Sequence, residues 1–137
     1  MDPQSTPLVP VSWGELLDKL TILDIKRVRL VQPEARSNVE REVAALRPIG
    51  SAALAHPAVS AAFGELRRVN ERLWDIEDAI RIAEGEGRFG ADFVSLARAV
   101  YQRNDERAAI KRRINDLLGS ELIEEKSYAS CMPTIPA

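Results

Sequence analysis

The chain has 137 residues, 45% of them apolar and 29% charged, which suits one soluble globular domain with a real core. A net charge of −2 argues against a general polyanion binder, and nucleic acid is accordingly not expected as a partner. The start, MDPQSTPLVPVSW, lacks the basic and apolar regions of a secretory signal, and no apolar run is long enough for a membrane span.

Residues 1–11 carry Pro3, Pro7 and Pro10 and are expected to be extended. A helix should open at SWGE, where Ser12 can cap and Glu15, three residues on, can reach back. This helix is expected to run to about Gln32, just before Pro33. Its leucines and isoleucines cover most of its circumference, so it should be packed by several neighbours and be central. A shorter helix over about 34–47, with Val39, Val43 and Leu46 at helical spacing, is expected to stop before Pro48. PIGSAALAHP then reads as a loop, and His56 in it has no neighbouring His or Cys for a metal site.

From Pro57, a good first helical residue, a long helix should run to about Glu84. Ala62, Leu66, Val69, Leu73, Ile76, Ile80 and Ala83 form an unbroken seam along it. GEGRFG supplies a turn, and a last long helix over about 91–118 ends at Gly119, a natural C-terminal cap. SELIEEKSY can add one further turn. The fold expected is all-α, an antiparallel helical bundle built on the 57–84 and 91–118 hairpin, with the N-terminal helix at its centre. The domain should span 12–128, followed by a flexible tail over 129–137. The single cysteine, Cys131, falls in that tail, which excludes an internal disulfide and fits a reducing, cytoplasmic setting.

The last helix contains an anomaly. Its seam positions run Phe93, Ala97, Val100, Asn104, Arg107, Lys111, Ile114 and Leu118, apolar at both ends and polar in the middle. In an antiparallel hairpin these polar residues fall opposite a flank of the partner helix that includes Asn70, Trp74 and Glu77. Two readings compete. Polar seam residues set register and satisfy one another, or the helix turns them to solvent. Otherwise Asn70, Glu77, Asn104, Arg107 and Lys111, with Lys19 from the first helix, form a pocket for a small anion. The first helix can also offer Asp18, Asp24 or Arg27 to that layer. A faint likeness of ELLDKLTILDIKRVRL to the helical chorismate mutases carries little weight, since charges on a leucine-rich helix are common.

No Gly-rich phosphate loop, no Ser–His–Asp or Cys–His set and no Glu-x-x-His is available, so no catalytic residues, metal or cofactor are assigned. KRR at 111–113 reads as a solvated face. The leading expectation is a binding or assembly module without catalysis, a homodimer or a companion of a larger protein. Trp13 and Trp74 are candidate interface residues.

Four stretches taken together, VPVSWGELLDKLTILDIK, VNERLWDIEDAIR, FVSLARAVYQRNDERAAIKRRIN and SELIEEKSY, resemble a bacterial family catalogued as domain of unknown function 6165. The resemblance spans roughly residues 9–128 and carries no assigned activity. It implies an accessory or binding role, in some members linked to glycan or surface-polysaccharide synthesis. It also groups Ser12, Glu15, Asp18, Lys19, Asn70, Trp74, Glu77, Asp78, Arg81, Asn104, Asp105, Arg107, Lys111, Asn115, Glu125 and Lys126 as motif residues.

Overall fold

Ser12 starts the first helix in the manner its spacing predicts. In a computed structural model, which describes residues 5–129, its hydroxyl accepts from the Glu15 backbone N–H at 3.1 Å. The reciprocal arm of the capping box does not form, because the Glu15 carboxylate turns to Lys111 Nζ at 2.9 Å. Helix α1 spans Trp13–Arg29 and is shorter than the sequence suggests. Leu30 already has extended backbone, and Gln32 must be extended too because it precedes Pro33.

Helix α2 spans Pro33–Leu54 and corrects the expectation of a stop before Pro48. Pro48 lies inside it, and the segment read as a loop is helical almost to His56. The physical reason lies in exposure. Pro48 and Ala44, four residues earlier, both face solvent, so water can take the carbonyl that Pro48 leaves without a donor. Beyond Pro48, Gly50 and Ala53 are buried, and that packing holds the last turns.

Helix α3 spans Pro57–Gly85 and helix α4 spans Ala91–Leu118. Gly87, at φ 68°, makes the turn between them, and Gly119, at φ 62°, ends α4 in the left-handed conformation a C-terminal cap requires. Residues 120–129 then leave the helix and carry no further helical turn. Residues 5–11 likewise have no regular structure, and Leu8 and Val9 are exposed. Cys131 and the remainder of the expected tail lie outside the described residues.

The described residues form an all-α bundle, with α3 and α4 as an antiparallel hairpin and α1 packed against all three other helices. Leu17, Leu20 and Leu23 of α1 meet Val39 and Val43 of α2, Val59, Ala62, Leu66, Val69 and Leu73 of α3, and Ile110 and Ile114 of α4. This core stops partway along the hairpin: it holds no residue of α3 past Leu73 and none of α4 before Ile110. The cause is length. Seventeen residues carry α1 about 25 Å, whereas 29 carry α3 about 43 Å. At the end of α1, Arg29 pairs with Asp75 at 2.5 Å and lies over the Trp74 ring at 5.7 Å. Beyond that level the hairpin projects as a two-helix tip. Its seam residues Ile76 and Ile80 are only half-buried, and Ile82, Phe89 and Val94 are 57%, 57% and 53% exposed. Trp74, under Arg29, and Trp13, against the core, are each half-buried.

Candidate functional site

The polar middle of α4 meets α1 at Asp18. Six residues after the α1 cap, Asp18 points into the junction of α1, α3 and α4, and its side chain is 3% exposed. Arg107 of α4 donates to it from both Nε, at 2.9 Å, and the second guanidinium nitrogen, a bidentate ion pair. Asn70 of α3 donates from Nδ2 to the same carboxylate at 2.8 Å and to Thr21 Oγ1 at 2.7 Å. Thr21 in turn donates to the Asp18 carbonyl at 2.7 Å. The hydrogen bonding that Arg107 donates to Asp18 holds the Arg107 pKa above its usual value, against the opposing effect of burial. Among the described residues no buried side-chain nitrogen or oxygen lacks a partner.

A second junction lies nearer the end of α4. The Asn115 side-chain oxygen, itself buried, accepts from the Gly14 N–H at 2.7 Å and from Ser120 Oγ at 3.1 Å. Ser120 Oγ also accepts from the Trp13 N–H at 3.0 Å. The first orphan donors of α1 are therefore capped by the end of α4 as well as by Ser12. Gly14 makes this approach possible, since a Cβ there would lie 2.5 Å from the Lys111 carbonyl oxygen.

Lys111, 11% exposed, bridges Glu15 at 2.9 Å and Glu124 at 3.2 Å. Glu124 belongs to residues 120–129, which lie along α4 as a strap. Lys126 donates to it at 2.7 Å, and Arg112 pairs with Glu125 at 3.2 Å. Hydrogen bonds from Lys126 and Lys111 hold the Glu124 carboxyl at a pKa of about 2. Between strap and helix lies an open groove of about 760 Å³, lined by Tyr101, Asn104, Arg107, Lys111, Lys126 and Tyr128 among others.

Of the residues expected to share one layer, Asn70 and Arg107 converge, and Lys111 stands one turn further along α4 with its own partners. Asn104 is exposed at the groove. Glu77 is outside the cluster, exposed and paired with Arg81 at 3.4 Å. Lys19 faces the other way and pairs with Glu42 of α2 at 3.1 Å. Asp18, one of four first-helix residues the sequence offered, is the contributor that enters the layer. The Gly14–Asn115–Ser120 junction had no signal in the sequence beyond the place of Asn115 among the family's motif residues.

The geometry resolves the polar line into two parts. Its inner part is sealed and balanced, a carboxylate with a guanidinium, an amide and a hydroxyl. Its outer part opens to the groove, but Arg107, Lys111 and Lys126 each already hold a carboxylate. Among the described residues no three His, Cys, Asp or Glu side chains cluster as a metal site needs, and no helix is long and apolar enough to cross a membrane.

A family model of a family of unknown function, DUF6165, matches residues 8–137. The chain belongs to that family. The DUF6165 match covers all four helices and the strap, so the internal network and the projecting hairpin both lie within the family region. No curated protein and no solved structure matches this chain.

Proposed function

We propose that this DUF6165 chain is a non-catalytic, cytoplasmic binding and assembly module that offers the projecting α3–α4 tip to a protein partner. One observation carries the reading: the apolar seam of the hairpin continues past the core, and Ile82, Phe89 and Val94 stand exposed where no helix among the described residues covers them. Exposed apolar side chains of that size on a projecting element favour association. The polar line supports the same reading from the other side, because its residues complete one another and present no nucleophile with an adjacent base. In bacterial glycan or surface-polysaccharide synthesis such a module would act as an accessory subunit. The test is affinity capture from the producing cells with the native chain, beside the Ile82→Glu and Phe89→Glu variants. Protein retained by the native chain and lost with both variants supports the reading. Equal retention by all three, or none by any, contradicts it.

A second reading rests on the groove. Arg107, Lys111 and Lys126 converge there with Asn104 and two tyrosines, a composition suited to a phosphate or carboxylate attached to a ring. Such a ligand must displace Glu124 from its two lysines. A thermal-shift titration with sugar phosphates, nucleotide sugars and carboxylic acids tests this reading. A shift abolished by Lys126→Ala favours it, and the lack of any shift counts against it.

A further inference from the structure

Resting on the assembly reading, we infer that the occupant of the tip is a second copy of this chain, with the α3 side of one tip packed on the α4 side of the other. The two helices of the tip differ in charge. Past Trp74, α3 carries Asp75, Glu77, Asp78 and Glu84 against Arg81 alone, whereas α4 before Asn104 carries Arg98 and Arg103 against Asp92 alone. Some of these charges are already used: Asp75 by Arg29, Glu77 by Arg81, and Arg103 by Glu106. Asp92 sits in the first turn of α4, where the helix dipole favours it. Asp78, Glu84 and Arg98 remain exposed and make no ion pair among the described residues; Glu84 lies at the turn, and Asp78 and Arg98 lie further along the helices.

Each of these two stands one helical turn from an exposed apolar side chain, Asp78 before Ile82 and Arg98 after Val94. Every chain thus carries an acidic–apolar pair on α3 and a basic–apolar pair on α4. The two are complementary between copies. Self-recognition through unlike charges also disfavours α3 on α3, where Asp78 would meet its own kind.

The test uses the full chain and two charge reversals, Asp78→Arg and Arg98→Glu, in light scattering across micromolar concentrations, with circular dichroism as the folding control. The native chain self-associates, and each variant alone associates more weakly by about tenfold, since like charges then meet. Mixing the two restores association, because the reversed α3 of one then faces the reversed α4 of the other. A native chain that stays monomeric overturns the inference, as do variants that associate normally or a mixture that fails to recover. If the native chain is monomeric but capture through Ile82 and Phe89 persists, the partner is a different protein and the module reading stands. If both fail, that reading falls as well.

Discussion

Asp18 and Arg107, 89 residues apart, form a two-pronged ion pair between α1 and α4 in which the carboxylate is buried and the guanidinium reaches the groove. The pair is asymmetric, and the asymmetry is measurable. Arg107→Ala leaves a carboxylate that is 3% exposed without its cation and should cost about 3–4 kcal/mol. Asp18→Asn keeps the bond to Asn70 within reach and leaves a guanidinium that can still hydrate, so it should cost about 1–3 kcal/mol. Urea denaturation of both variants checks the order. An Asp18→Asn variant weaker than Arg107→Ala would mean that the carboxylate tolerates the loss of its cation, which burial forbids.

Gly14→Ala should destabilise the fold by about 2 kcal/mol or more. The added methyl would lie 2.5 Å from the Lys111 carbonyl oxygen and 2.9 Å from Asn115 Oδ1, so helix backbone must move. Asn115→Ala acts on the same junction by leaving the buried Gly14 N–H without its acceptor, at about 1–3 kcal/mol. The two changes share a partner, so their combined cost should fall below the sum. Thermal or urea unfolding of the singles and the double measures this.

Pro48→Ala should stabilise the protein. The proline ring is exposed in the interior of α2, so alanine restores a backbone donor and removes the ring's crowding without disturbing the core. An increase of about 1–3 kcal/mol is expected in urea unfolding, with the far-UV helix signal unchanged or larger.

The strap should come away from α4 in acid. The Glu124 carboxyl is held at a pKa of about 2, against 4.5 for the free group. A depressed carboxyl contributes attachment that is complete above its ordinary pKa and is lost as pH falls through the depressed one. Strap release should therefore develop as pH drops from about 4.5 towards 2. The side-chain NMR signals of Glu124, Lys111 and Lys126 report it. Because the ion pairs are exposed, raised salt at neutral pH should loosen the strap too. In a Glu124→Gln variant the acid-dependent change at Lys111 should be much reduced.

Short-range signals in the sequence translated directly into structure. Ser12 capping Glu15, Pro57 at a helix start and Gly119 at a helix end each act within one turn, so their chemistry is readable from spacing alone. Pro48 misled because the cost of an interior proline depends on whether its lost partner meets water, and that is a tertiary fact. The choice between Asp18 and Lys19 was hidden for a related reason. Neighbours on a helix differ by about 100° in direction, and α1 is apolar nearly all round, so periodicity does not single out an inward charge. The α3 seam was legible as a pattern, but its length relative to α1 decides which half is covered. SELIEEKSY stood out as a family stretch, but the strap carries no periodicity and is attached largely through side chains, so its course along α4 was not legible and a helical turn was expected instead.

The tip of the hairpin, on this reading, is where two copies of the chain meet. Sedimentation of the full chain over a wide concentration range, beside the Phe89→Glu variant, tests this most directly. A mass that rises with concentration is expected for the native chain and a mass of one chain for the variant, with both equally helical. A native chain that sediments as a monomer throughout, or a Phe89→Glu variant that associates just as well, would contradict it.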